Sequence, residues 1–343
     1  MKLYLTILLL IYTTIIVADE KETYKSIADL LRQIIAENND HNIHDNNNDN
    51  NNDNNKCGLK HSRRIVGGRQ SQPGDWPWIA AIMMTTDKRN PSHKPYCAGT
   101  LVSRRHIVTA AHCLTVVGKR QRWPRPRITV RLGAHRFRSA NTTSTTRLPA
   151  RDYQIKSYAI HPAYRSTKSG DDIAVLTLLT PVKYTSYIQP ICLPPPPAPL
   201  TAPSGNQSLR HDYSGQSVTV AGWGHTRHRG SVNAYLKQVS LSVWNRRLCE
   251  HRYTSRVEDM SRLPETVICA GSRGRHTCQG DSGGPLMAAM TADGGGSGGG
   301  GQKRWTLIGV VSGGVLCGDA DIPALFTDVQ LYANWIGKQI CAC

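Results

Sequence analysis

The sequence predicts an all-β protein of barrel architecture, closed by one C-terminal helix and preceded by a long segment with no core of its own. Short runs rich in Val, Ile, Thr and aromatic residues recur between Gly and Pro, among them "RITVRLG", "SVTVAGWG" and "RWTLIGVVSGG", which is the pattern of strands and turns in a closed sheet. The 343 residues are 39% hydrophobic with 30 Gly and 19 Pro, enough apolar material for a packed core of one or two domains. Near the C-terminus Tyr332, Trp335, Ile336 and Ile340 recur at helical spacing, so a helix is expected from Asp328 to Ile340 with these side chains in the core.

Residues 1–18 begin with Lys2, run apolar from Leu3 to Val17 and end on Ala18, the layout of a signal peptide. The apolar run is shorter than the roughly 20 residues a membrane-spanning helix needs, and no later stretch is long and apolar enough to span. Export predicts a secreted, extracellular protein. Ten cysteines and two sequons, Asn141-Thr142-Thr143 and Asn206-Gln207-Ser208, fit disulfide formation and glycosylation at Asn141 and Asn206 in that compartment.

Residues 19–64 read as a propeptide. After the short amphipathic piece "YKSIADLLRQII" comes "ENNDHNIHDNNNDNNNDNNK", with too little apolar surface to offset the entropy of ordering, so it is expected to be disordered. A solvated spacer is the favoured reading. Metal binding through His41, His44 and the aspartates is the alternative.

From residue 65 onward the chain carries 34 Lys/Arg against 15 Asp/Glu, a formal net charge of +19. A field of that size attracts polyanions, so sulfated glycans or acidic substrates are expected partners alongside the simpler reading of a soluble basic surface. Secretion argues against nucleic acid as a partner. Gly133 to Arg151 contains no carboxylate, and calcium needs several oxygen ligands. No metal site and no cofactor are expected.

Four motifs carry the chemistry. Arg63-Arg64-Ile65-Val66-Gly67-Gly68 is a basic pair followed by two apolar residues and two glycines; "TAAHC" supplies His112, "DDIAV" supplies Asp172, and "GDSGGP" supplies Ser282. A serine hydroxyl is too weak an acid to attack an amide at neutral pH, so a histidine must take its proton and return it to the leaving amine. An aspartate fixes the imidazole's tautomer and stabilises its protonated form.

In this order and with the basic site upstream, the motifs resemble the chymotrypsin-like (S1 family) serine protease zymogens, over residues 65–343. The resemblance implies two six-stranded antiparallel β-barrels with the triad His112, Asp172 and Ser282 between them. Asp172 rather than Asp171 is chosen because it directly precedes the Ile-Ala-Val run. It further implies an oxyanion hole from the N–H groups of Gly280 and Ser282, and activation by an upstream protease that cuts after Arg64 so that the Ile65 ammonium pairs with Asp281. Protein or peptide substrates and serpin-type inhibitors follow as partners.

The same resemblance pairs Cys97 with Cys113, Cys249 with Cys269, Cys278 with Cys317, and Cys57 with Cys192, the last keeping the propeptide attached after activation. A further bridge frequent in the family is missing at both ends, where Val218 and Ala288 stand. Cys341 and Cys343 are left over.

The substrate pocket departs from the family. His276 occupies its base, where an aspartate would recognise Arg or Lys. The family's Ser-Trp-Gly wall is Ser312-Gly313-Gly314, and Ala324 replaces the glycine after Pro323, so its methyl is expected to narrow the pocket. A neutral His276 favours apolar side chains before the scissile bond, the first expectation, because desolvation disfavours the imidazolium. A protonated one favours Glu or Asp, the second. A catalytically silent cationic homologue acting as a glycan-binding or antimicrobial protein is the alternative to an enzyme.

Overall fold

The computed structural model describes residues 57–60, 69–85, 95–116, 121–137, 150–197, 210–225, 233–257, 260–272, 277–291, 303–314 and 321–341. The expected signal peptide and the Asn/Asp tract lie outside the described residues, as do Arg64, Ile65, Asn141, Asn206, His276 and Cys317.

Six strands close the first barrel: β2 (Ile79–Met84), β3 (Cys97–Leu101), β4 (His106–Thr109), β5 (Ile128–Leu132), β6 (Arg151–Ile160) and β7 (Ala174–Leu178). Their order around the ring is β2-β3-β4-β7-β6-β5, every pairing antiparallel. The alternation read from the sequence is that of a strand with one buried face: in β5, Ile128, Val130 and Leu132 are buried while Thr129 and Arg131 are only partly so. β2, β3 and β4 are buried along their whole length.

A second ring follows. β8 (Ser217–Gly222), β9 (Lys237–Val243), β10 (Val267–Gly271), β13 (Ala324–Asp328), β12 (Lys303–Gly313) and β11 (Pro285–Thr291) pair in that order, and β11 returns to β8. The two-residue β1 (Arg69–Gln70) lies against β9. The expected pair of six-stranded antiparallel barrels is therefore the fold found.

Two helices flank the barrels. α1 (Arg246–Arg256) starts at Asn245, whose side chain accepts the Arg247 N–H at 3.0 Å, satisfying one of the unpaired donors of the first turn. α2 (Val329–Cys341) matches the expected C-terminal helix to within a residue at each end. It buries Val329, Tyr332, Ala333 and Ile336, and Trp335 and Ile340 pack partly buried against the same core. That core runs through the first barrel and on into Met287, Leu307 and Val310 of the second. The indole N–H of Trp78 donates to Met287 Sδ at 2.9 Å across this junction.

The short segment 57–60 is stitched to the body in several ways. Cys57 is bonded to Cys192. Gly58 donates its N–H to the Pro190 carbonyl and accepts the Trp305 N–H, each at 2.9 Å. The Lys60 ammonium lies 4.0 Å from the centre of the Trp76 ring and 3.9 Å from Asp75 Oδ1.

Val218 and Ala288 face the absent bridge as an apolar pair. Both are buried in one cluster of the second barrel, and the register of β8 with β11 sets Leu286 opposite Val220 and Met287 opposite Thr219, which leads on to Ala288 opposite Val218. Facing positions of an antiparallel pair fall within disulfide reach. The double variant Val218→Cys, Ala288→Cys should therefore oxidise spontaneously and gain about 2–4 kcal/mol of stability. Thiol titration of the purified variant checks this: two additional reactive thiols after unfolding would mean that the two positions do not meet.

Candidate active site

β4 delivers the histidine. After Thr109 the chain turns through a short 3-10 segment, Ala111–Leu114, and the Cys97–Cys113 disulfide pins that turn to β3. His112 Nδ1 stands 2.7 Å from Asp172 Oδ2, and the His112 backbone N–H donates to Asp172 Oδ1 at 2.9 Å. An ionised carboxylate only accepts, so Nδ1 carries the proton and Nε2 presents its lone pair. Asp172 is fully buried whereas His112 keeps about a quarter of its side chain exposed.

Asp172 is also held from the second barrel. The Ser312 hydroxyl donates to Asp172 Oδ2 at 2.6 Å and the Thr327 hydroxyl to the Asp172 carbonyl at 2.9 Å. Burial and the Asp172 charge push the nearby Tyr164 hydroxyl up to about 12, so it stays protonated. Cys97, His112 and Cys113 cluster closely enough to resemble a metal set, but the disulfide consumes both sulfurs as ligands.

The segment carrying Ser282 is wedged between the barrels. The Ser282 carbonyl accepts the Ala98 N–H of β3 at 2.8 Å, and the Gly283 N–H donates to Val311 of β12 at 2.8 Å. Gly283 has φ +78, and a β-carbon there would collide with Thr109 Oγ1 and the Ala98 carbonyl. Only glycine lets this turn press so closely on the strand that leads to His112.

Asp281 is partly buried and pairs with no cation among the described residues. Its Oδ1 accepts the Gly224 N–H at 2.8 Å and its Oδ2 the Cys278 N–H at 3.0 Å. Desolvation pushes its carboxyl up to about 6, against the pull of these two donors.

The expected pocket residues are brought together in part. Ser312 is buried, yet its hydroxyl serves Asp172, a role that the motif "SGG" does not reveal. A β-carbon on Gly314 would stand 3.8 Å from Ala324 Cα, and one on Gly313 would meet nothing within 4 Å. Ala324 is itself buried in the apolar cluster of the second barrel. Cys249 is bonded to Cys269, and Cys278 is disulfide-bonded. Thr327 had no sequence signal at all.

A histidine-aspartate pair between two antiparallel barrels, beside a tightly turned serine, is the layout of a serine hydrolase. A family model described as "Trypsin" matches residues 65–336. CLIP domain-containing serine protease B9 of Anopheles gambiae is 32% identical over 83% of this chain, which spans 65% of that relative's length. Proclotting enzyme of Tachypleus tridentatus is 31% identical over 83% of this chain and 68% of its own. Clotting factor G beta subunit of the same species is 32% identical over 82% and 81%. The chain belongs to the trypsin family of serine endopeptidases.

The raised carboxyl of Asp281 makes a signed prediction for the intact, uncleaved chain. A carboxyl that binds its proton more tightly when folded stabilises the fold below its unfolded pKa, and that stabilisation is lost as pH rises through the folded value. The window runs from about 4, the unfolded value, to about 6, and the full effect is on the order of 3 kcal/mol. Asp281→Asn should therefore gain stability relative to the native sequence between pH 4 and pH 7. Urea unfolding of both proteins at the two pH values reads the difference; an equal gap at both would show that the carboxyl is not raised.

Proposed function

We propose that this protein is a secreted serine endopeptidase made as a zymogen, activated by cleavage after Arg64, and working through a covalent acyl-enzyme. The observation that carries the reading is the hydrogen-bonded chain His112–Asp172–Ser312 beside the Ser282 turn in a trypsin-family fold. Ser282 Oγ attacks the scissile carbonyl while His112 Nε2 takes its proton; the imidazolium is stabilised by Asp172 and then protonates the departing amine. Water repeats the sequence on the acyl-enzyme. The backbone N–H groups of Gly280 and Ser282 are assigned to the oxyanion, a contribution typically of about 3 kcal/mol per donor.

Activation is assigned to Asp281. A buried carboxylate without a cation is costly, and an incoming ammonium offsets much of that cost, so the freed amino group of Ile65 is the natural partner. Relatives whose names mark them as a proclotting enzyme and a phenoloxidase-activating factor support a precursor cut by another protease in an extracellular cascade. The Cys57–Cys192 bond would leave the mature enzyme as two linked chains. Serpin-type inhibitors and sulfated polyanions belong to the same proposal, the latter on the +19 charge of residues 65–343.

A fluorophosphonate probe tests both steps together. Native protein treated with a trypsin-like activator should acquire the probe at Ser282, whereas Arg64→Gln should remain intact and unlabelled. Labelling of the Arg64→Gln variant to the native level would remove the assigned activation site. Failure of activated native protein to label would favour the catalytically silent homologue.

Specificity is assigned to apolar residues before the scissile bond, with acidic residues second, because His276 supplies no counter-charge for Arg or Lys. Matched peptides with Leu, Phe, Glu and Arg at that position, assayed across the imidazole pKa of about 6.5, separate the two. The apolar reading gives cleavage after Leu or Phe with little after Glu at any pH in the range. The acidic reading gives cleavage after Glu that weakens over the same range. A dominant preference for Arg overturns both.

A further inference from the structure

The two aspartates of the "DDIAV" motif are used in opposite ways. Asp172 turns to His112, and Asp171 turns away to the C-terminal helix, where the Tyr332 hydroxyl donates to Asp171 Oδ1 at 2.7 Å. Asp171 is the single non-glycine residue with positive φ among the described residues, at +55. That conformation costs an L-residue free energy, and Asp is one of the few side chains that tolerate it.

Everything around Asp171 holds it in that conformation. Gly170 before it also has positive φ, and a β-carbon there would collide with Thr266 Oγ1. The Asp171 N–H reaches the same Thr266 hydroxyl at 3.4 Å, and the Asp171 carbonyl accepts the Ile173 N–H at 2.8 Å. Tyr332 is buried, and burial together with the Asp171 hydrogen bond raises its hydroxyl well above the ordinary tyrosine value, so it remains a donor. His161 stands edge-on to Tyr332 and to Trp335, with its Nδ1 3.8 Å from Asp171 Oδ1.

We propose that Asp171, clamped by Tyr332, is a positioning residue for catalysis: its left-handed backbone aims the Asp172 carboxylate at His112 and Ser312. One peptide unit separates the clamp from the carboxylate, so a change of φ at 171 swings Asp172 directly. The three contacts on that carboxylate, at 2.6 to 2.9 Å, leave little room for such a swing. The inference rests on the reading that His112, Asp172 and Ser282 perform the reaction.

The test uses activated full-length protein, with active sites counted by complete fluorophosphonate labelling so that misfolded molecules drop out. Asp171→Ala and Tyr332→Phe should each lower kcat per labelled site about tenfold, as loss of a positioning contact typically does, with KM little changed. Asp171→Asn keeps both the acceptor oxygen and the tolerance of positive φ, and it should restore nearly native kcat. The double variant Asp171→Ala, Tyr332→Phe should be no slower than Asp171→Ala alone, because Tyr332→Phe then removes a contact already lost. If Asp171→Ala does not fold, Tyr332→Phe decides alone. Native kcat per labelled site in Tyr332→Phe, or a loss in Asp171→Asn as large as in Asp171→Ala, overturns the proposal. Absence of labelling in the activated native protein removes the underlying reading instead, and this inference with it.

Discussion

Asp172 is a fully buried carboxylate whose donors come from both barrels, and the two halves must dock so as to satisfy it. Removing an ion from water costs several kcal/mol unless good hydrogen bonds replace the solvent. His112 supplies two donors from the first barrel and Ser312 one from the second, while Thr327 fixes the carbonyl of the same residue. The shared apolar core, with Trp78 against Met287, makes the docking favourable but is non-directional. The polar contacts on Asp172 give it a register. The site is thus a product of the interface between barrels, and neither barrel could assemble it alone.

Asp281 is the counter-example in the same molecule. It is less completely shielded from solvent and has only two backbone donors among the described residues, and desolvation still pushes its carboxyl up. One carboxylate is built into a finished network. The other, next to Ser282, accepts from backbone donors alone among the described residues.

Sequence periodicity exposed the parts of the fold in which burial repeats regularly. β5 alternates cleanly and α2 shows its apolar stripe, so both were legible. α1 was not, because "RRLCEHRYTSR" is polar all round and buries only Cys249 and Tyr253; its place depends on the Cys249–Cys269 bond and on tertiary packing. The expected site residues could be named from motifs, since serine, histidine and aspartate chemistry demands those types, and the structure sets His112 against Asp172. Their supports were not. Ser312, Thr327 and Tyr332 reach the two aspartates across 140, 155 and 161 residues, and no local pattern encodes such a contact. Histidines show the same limit. His106 lies buried in β4 with Nδ1 2.7 Å from Ser103 Oγ and is pushed down to about 4, yet nothing in its neighbourhood of sequence separates it from a reactive one.

The Cys57–Cys192 bond has two different physical meanings, depending on whether the backbone between its ends is intact. In the unbroken chain it closes a covalent ring of 135 residues that contains the whole first barrel, restricting the unfolded ensemble by about 5 kcal/mol in the loop-entropy description. A single cut between residues 57 and 192 opens that ring. The sulfurs then join two pieces as a plain tether and no longer limit how far the first barrel can unravel. The backbone pairing of Gly58 with Trp305 and the placement of Lys60 on Trp76 survive the cut, because they depend on folded surfaces and not on chain connectivity. Proteolysis would therefore shift the molecule from topological to purely local restraint, and the polar contacts at the barrel interface would carry a larger share of its integrity afterwards.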